Sequence, residues 1–487
     1  MSPRTFRLTD SALAALGAGR PDADTLGTLR RAQLSRHLLL LREIRRAQPE
    51  APAWFARLTA ADPDEARRLI ADPMTGLWAA HTLRDGASAD GPRPGGHSLH
   101  TTCADLTLTV RVDDADPLRH LLGLTPAGPL SGSELAHWQR CLDDAWRILV
   151  TRHRPAAETM AAVLRVIVPV RPDPAAEGIS ATSAEAFGAV AMSPPADGTA
   201  LAVGLLHEVQ HSVLNAVHQL FDLVQPGGAP GYSPWRDDPR PPLGILHGAY
   251  AYLAVTRFWR AEAPDARVAG AVGGVAGFEF ARWREAVMAA AEGLLAGGHL
   301  TAAGTRFVTA LADEARPWLA DAVEPEVARL AGLAGADHRV RWRLRNLTVA
   351  AEDVAALAAA WRAGQPPVRV RSVPTAAPGR ALENSPRVRL ARTLARGDAG
   401  RGESDPVLTP GGRAAAADRA CLRGEHGAAE NAYEECLDRD RGDDRAWSGL
   451  ALVSPHRAVR ERPEVVKALA SALPEAEIGV LADWLAG

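Results

Sequence analysis

The sequence predicts a predominantly helical α+β protein, with a small sheet beside a helical metal-binding core and a C-terminal helical repeat segment. Three observations carry this expectation. Long stretches repeat apolar residues at helical spacing. Only short β-favouring runs interrupt them, at 97–112, 163–170 and 179–192. The apolar stretch 201–218 also places His207, Glu208 and His211 on one helix.

At 487 residues the chain is too long for one ordinary domain, and its 47% apolar content supports a substantial core. No apolar run reaches the 18 or so residues that a membrane span needs. The opening Met-Ser-Pro-Arg-Thr-Phe-Arg lacks the apolar stretch of a secretory signal. Cys103, Cys141, Cys421 and Cys436 form no C-x-x-C pair, so neither a disulfide framework nor a cysteine zinc site is expected. The chain therefore reads as cytoplasmic. A net charge of −3 gives no general attraction to nucleic acid or to anionic membranes. Lys467 is the only lysine, so nearly every fixed positive charge is Arg, the side chain best shaped to clamp a carboxylate.

Residues 1–90 read as a helical N-terminal region, with Leu at 26, 29, 34 and 38–41 and then Trp54, Phe55, Leu58, Leu69 and Trp78. A Gly/Pro-rich break at 85–96 ends it. The domain expected to carry the chemistry spans 91–366. It opens with one or two strands over 97–112 and a helix over 135–151 bearing Trp138, Leu142, Trp146 and Leu149 on one side. A short strand follows at 163–170, where Pro169 argues for an edge or an end. Residues 179–192 are Ser/Thr-rich and then strand-like, leading directly into the motif helix. After that helix, 225–242 reads as a long loop dense in Pro and Gly, and long loops inside compact domains are usually functional. Helices are expected at 243–259, 278–294, 302–333 and 350–363, with a basic segment at 338–346. Residues 367–412, rich in Pro, Gly and Arg, read as a linker. Residues 413–487 resemble a tetratricopeptide helix pair with a degenerate continuation.

His207 and His211 stand four apart, so both imidazoles can reach one ion, with Glu208 as base, extra ligand or supporting group. Asp197 is placed to cap this helix. A burial-prone helix holding two His and a Glu without a partner would be costly, which favours a bound metal. A third ligand is needed, and His247 is the choice, since a reversing connection can return the next helix beside the first. His218 lies seven residues past His211, roughly 10 Å along the axis at 1.5 Å per residue, too far to share the ion. Leu214 and Val217 also break the metzincin pattern. Glu262 or Glu279 would serve a gluzincin-type site. Zinc and ferrous iron both suit such ligands.

Taken together, Ser180-Ala-Thr-Ser-Ala-Glu-Ala-Phe187, Leu206-His207-Glu208-Val-Gln-His211, Tyr232-Ser-Pro-Trp235-Arg236-Asp237-Asp238-Pro239-Arg240, Leu246-His247-Gly248-Ala-Tyr250 and Arg341-Trp342-Arg-Leu-Arg345-Asn346 resemble a known family. It is the HExxH-motif peptide-modification proteins of bacterial ribosomal-peptide gene clusters, which include Fe(II)- and 2-oxoglutarate-dependent peptide β-hydroxylases. The resemblance covers about residues 130–366. It implies that His207, His211 and His247 hold Fe(II), that 2-oxoglutarate chelates the iron, and that dioxygen and a precursor peptide are the other substrates. The distal carboxylate of 2-oxoglutarate then needs a cation, for which Arg236 and Arg240 are the candidates and Arg345 the reserve. Glu208 would be a ligand or a group that orients one.

The competing reading is a zinc metallopeptidase, with Glu208 activating a zinc-bound water and the strand before the helix binding substrate by edge pairing. A third reading is a binding protein with a relic site. Metal content, dependence on Arg and consumption of 2-oxoglutarate with oxygen separate the hydroxylase from the peptidase.

Overall fold

Capping residues mark where several of the helices begin. A computed structural model describes residues 5–48, 53–86, 91–174, 176, 178–266, 272–375, 385–397 and 413–487. The N-terminal helices are α1 (Asp10–Gly17), α2 (Ala23–Ala47), α3 (Ala53–Ala60), α4 (Pro63–Ala71) and α5 (Pro73–Asp85). Asp22, Asp62 and Asp72 cap α2, α4 and α5 by accepting backbone N–H bonds, and Pro at the first helical position starts α4 and α5. There follow β1 (His97–Cys103), β2 (Leu106–Val112), α6 (Gly132–Arg152), α7 (Arg154–Val163), β3 (Val166–Pro169), β4 (Ser180–Ala181), β5 (Ala189–Met192) and α8 (Gly198–His218). The rest comprises β6 (Gly231–Ser233), β7 (Arg236–Arg240), α9 (Pro242–Ala266), α10 (Val272–Ala296), α11 (Ala302–Ala315), α12 (Pro325–Asn346), β8 (Leu347–Val349), α13 (Ala351–Arg362), β9 (Ser372–Pro374) and α14 (Pro386–Ala395). The C-terminal helices are α15 (Arg413–Leu422), α16 (His426–Arg439), α17 (Asp444–Val453), α18 (Arg457–Glu461), α19 (Pro463–Ala472) and α20 (Ile478–Ala486). The protein is thus predominantly helical α+β, and among the described residues no helix is long and apolar enough to cross a membrane.

Contacts divide the chain into two units: Met1–Gly228, Pro242–Ala261 and Val287–Leu319 in the first, and Ala229–Pro241, Glu262–Ala286 and Ala320–Gly487 in the second. These bounds do not follow the sequence-based ones at 90, 366 and 412. The first unit holds a five-stranded sheet of order β1-β2-β3-β5-β4. β1 and β2 form an antiparallel hairpin, β3 runs parallel to both β2 and β5, and β4 pairs antiparallel to β5 at the edge. β3 and β5 are buried along their whole length, which is why they are continuous apolar runs. Pro169 closes β3 at its end, although β3 is an interior strand. Trp54, Trp78, Met74, Val166 and Val168 form one core cluster of this unit. α8 packs against α2, α6, α7, β4 and β5, which accounts for apolar residues on several of its faces.

In the second unit α12 is the hub, touching α14, α17, α19, β7 and β8. Tyr433 and Trp447, both fully buried, join α16 to α17. Gly449 lets these helices approach: a Cβ there would sit 2.2 Å from the Tyr433 ring. Gly449→Ala is therefore expected to destabilise this unit by about 1–3 kcal/mol through overpacking. Urea unfolding checks it, and an unchanged midpoint would mean that Tyr433 moves aside at no cost.

Three sequence expectations change. The stretch read as a loop at 225–242 contains the two-stranded sheet β6–β7, hidden from the sequence by its Pro and Gly. The helix expected over 302–333 is broken by a 3-10 turn at Arg316–Ala320, and Pro325 begins α12. Inside the linker expected at 367–412, β9 pairs with β8, and α14 carries the buried Arg387. Residues 376–384 and 398–412 of that linker lie outside the described residues.

Candidate metal centre

The centre is built in the first unit. Asp197 Oδ1 accepts the Ala200 N–H at 2.8 Å, which starts α8 where the sequence suggests. One turn apart on this helix, the His207 and His211 rings stand edge to face with centroids 4.7 Å apart. Their Nε2 atoms are 3.1 Å apart. α9, begun by Pro242, brings His247 to the other side of the same ring, with Nδ1 of His247 3.2 Å from Nδ1 of His211. Tyr252, also on α9, meets the His207 ring edge to face at 5.3 Å.

Burial lowers the pKa of His207, although Glu208 pulls the other way. Burial, and then the neighbouring His207 and His247, drive that of His211 well below the usual histidine range. Burial dominates at both, which favours neutral rings, the state in which an imidazole offers a lone pair to a metal. Metal–nitrogen bonds of about 2.0–2.1 Å place tetrahedral ligand atoms about 3.3 Å apart, close to the 3.1 Å between His207 and His211. The donor set therefore fits a borderline divalent ion. His207, Glu208 and His211 each offer one ligand atom within 4.8 Å of the others. His247 meets His211 through that ring's second nitrogen and lies outside this group of three.

Glu208 is 2% exposed, and both its oxygens are engaged. Ser180 Oγ donates to Oε1 at 2.6 Å, and Thr182 Oγ1 donates to Oε2. The carboxylate is thus tied to the edge strand β4 and the residue just beyond it, which compensates its burial. Its nearest oxygen is 4.0 Å from His207 Nε2. Ser180, Thr182 and Tyr252 have no assigned role in the sequence reading. Ser180 and Thr182 are 28 and 26 residues from Glu208, and only the sheet brings them together.

His218, at the end of α8, has its Nδ1 3.5 Å from the Leu223 N–H. Glu279, in the second unit, accepts from Trp283 Nε1 at 2.7 Å and pairs with Arg392 at 2.9 Å.

The Arg candidates also belong to the second unit. Arg236, Asp238 and Arg240 alternate along β7, so they share a face. Arg236 Nε and Arg240 donate to the two oxygens of Asp238 at 2.9 and 3.0 Å. Burial pushes the Asp238 carboxyl up, but the two guanidinium groups outweigh it and hold it below the usual range. Arg345 is exposed on α12 and lines a cavity of about 650 Å³ with Arg341, Arg445 and Asp237. Two segments that carry the family resemblance meet here: Asn346 Nδ2 donates to the Asp237 carbonyl at 2.7 Å, and the Tyr232 hydroxyl lies 3.0 Å from His338 Nδ1. The sequence matches no family model and no curated protein.

Proposed function

We propose that the protein is a cytoplasmic Fe(II)- and 2-oxoglutarate-dependent oxygenase that β-hydroxylates a side chain of a ribosomally made precursor peptide. On this reading α8, α9 and the small sheet form the metal-binding core, and α15–α20 are an appended tetratricopeptide-like segment. The observation that carries it is the cluster of three imidazoles combined with a Glu208 whose two oxygens are both occupied. A zinc peptidase needs that Glu free to take a proton from water. Here it is held by two hydroxyl donors, which suits a supporting role.

Bound Fe(II) and 2-oxoglutarate would supply the activation of dioxygen, one oxygen atom going to the peptide C–H bond and the other to succinate as carbon dioxide leaves. The protein's part is positional. His207 and His211 would anchor the ion, with His247 completing the set. Glu208, tied to Ser180 and Thr182, fixes the turn of α8 that carries His207. Tyr252 limits rotation of the His207 ring. Leu205, Leu206 and Val209, all buried, keep water from the helix around the ligands.

The test is aerobic incubation of the Fe(II)-reconstituted protein with 2-oxoglutarate and a co-encoded peptide. Succinate formed together with a peptide heavier by one oxygen atom supports the reading. Cleaved peptide with zinc alone supports the peptidase.

Two further outcomes are expected. Glu208→Gln should retain iron and lose about 10–100-fold in turnover, as for a group that orients ligands. Complete loss with the metal retained would return Glu208 to the role of base. Arg240→Ala should raise the 2-oxoglutarate concentration for half-maximal turnover by about 10-fold or more, with the peptide requirement little changed. An unchanged 2-oxoglutarate requirement would place the clamp elsewhere.

A further inference from the structure

A cavity of about 340 Å³ opens in the first unit between α2, α4 and the end of α7, away from any role assigned above. Four guanidinium groups line it, from Arg30, Arg31, Arg67 and Arg165, and no Asp or Glu is among its lining residues. Leu34 and Phe187 give it apolar walls.

The charges are little compensated. Arg30 has no hydrogen-bond or ion-pair partner among the described residues. Arg31 donates only to Thr28 Oγ1, at 2.9 Å. Arg67 faces Asp64 at 3.3 Å, an exposed pair one turn away that contributes little. Arg165 donates to the carbonyls of Ala161 and Ala162 at 2.9 and 2.7 Å, at the negative end of α7. Burial, and then the charge of Arg30, pull its pKa down to about 10, so it stays charged in a site short of anions.

Exposed leucines on α2 stand beside these cations. Gly27, Arg31, Leu34 and Leu38 follow one another at helical spacing along a single face of α2. Leu38 and Leu39 are 49% and 52% exposed, among the few large apolar side chains that face solvent in the described residues. Cationic side chains around a recess with an exposed leucine beside it suit a ligand that alternates carboxylates with apolar side chains.

We propose that this cavity and the adjoining face of α2 dock an acidic, leucine-bearing segment of the substrate peptide, outside the residue that is modified. The proposal rests on the reading of the protein as a peptide-modifying enzyme. Carboxylates would reach Arg30, Arg31 and Arg67 at the rim, with an apolar side chain against Leu34 and Phe187. A nucleic acid fits less well. Its binding uses extended cationic tracks with stacking faces, and the site is a single recess on a chain of net charge −3.

The test measures binding without iron or 2-oxoglutarate, so it succeeds or fails independently of hydroxylation. Three fluorescent probes are titrated into the full-length protein: a short peptide alternating Glu or Asp with Leu, its Gln/Asn counterpart, and a single-stranded oligodeoxynucleotide of equal charge. The acidic peptide should bind at least about 10-fold tighter than either control and weaken with added salt. The double variant Arg30→Glu/Arg31→Glu should weaken it by about 10–100-fold. Both residues are exposed, so the melting temperature should hold. Equal binding of the neutral peptide, tighter binding of the oligonucleotide, or unchanged affinity in the folded double variant would each overturn the proposal.

Discussion

Replacing His211 by Ala is expected to remove the metal and the activity together. Its ring is the centre of the cluster, with Nε2 3.1 Å from His207 and Nδ1 3.2 Å from His247. Losing it separates the remaining two imidazoles, and two isolated ligands bind a divalent ion far more weakly than three. Metal affinity should fall by more than about 100-fold, and hydroxylation should reach background. The apoprotein should melt near its parent, because alanine suits a helix and no charged group is stranded. Only the stabilisation that Fe(II) gives the parent by binding the folded state should be lost. Metal analysis beside thermal melts with and without Fe(II) reads both effects. A variant that keeps stoichiometric iron would show that the ion is held elsewhere.

The largest stability effect is expected at Arg387. This side chain on α14 is 3% exposed and donates to four helices of the second unit, α12, α15, α16 and α17. Nε donates to Asp337 of α12 at 2.8 Å, and Nη1 donates to Asp418 of α15 at 2.6 Å. It also donates to the Arg445 carbonyl at 3.1 Å and to Ser448 Oγ. Burial alone would lower its pKa, but the two carboxylates outweigh burial and raise it well above the usual range. Burial likewise pushes Asp337 up, while Arg387, with Ser385 and Arg341, outweighs this and leaves it lowered.

Arg387→Met keeps much of the volume but leaves Asp337 buried without its main counter-charge. Asp418 still has Arg445 at 2.5 Å and the Tyr433 hydroxyl at 2.7 Å. Breaking such a buried pair costs about 3–5 kcal/mol, a large share of the roughly 5–15 kcal/mol that holds a domain folded. Adding Asp337→Asn should recover part of the loss, since it removes the stranded charge. Denaturant unfolding followed through the buried Trp447 gives the measurement. A cost below about 1 kcal/mol, with no coupling between the two sites, would contradict this account of the network.

Much of the centre was legible because its determinants are local. The four-residue spacing of His207 and His211 is fixed by the helix itself, and Asp197 marks where that helix begins. The strands at 97–112 and 189–192 were readable because alternation and β-branching are short-range signals. His247 required an inference about tertiary return, and the structure brings it beside His211 through the second ring nitrogen. Ser180 and Thr182 could not be assigned, because their role depends on β4 lying against α8. The β6–β7 hairpin was hidden by the Pro and Gly that ordinarily mark loops, although Arg236, Asp238 and Arg240 alternate as a strand would. Arg387 lay inside a stretch whose composition reads as a linker, and nothing local to it announces four partner helices. Composition reports average solvation, whereas one buried guanidinium is set by charges from elsewhere in the chain.

The central claim is that the His207–His211–His247 cluster holds a redox-active ion that directs an oxygen atom from dioxygen into an intact peptide. The most direct measurement is mass spectrometry of the co-encoded peptide after reaction under isotopically labelled dioxygen in ordinary water, with Fe(II) and 2-oxoglutarate present. One labelled oxygen atom is expected on the uncleaved peptide, at a side-chain β-carbon. Unlabelled oxygen at a new carboxyl terminus, formed with zinc and without 2-oxoglutarate, would contradict it.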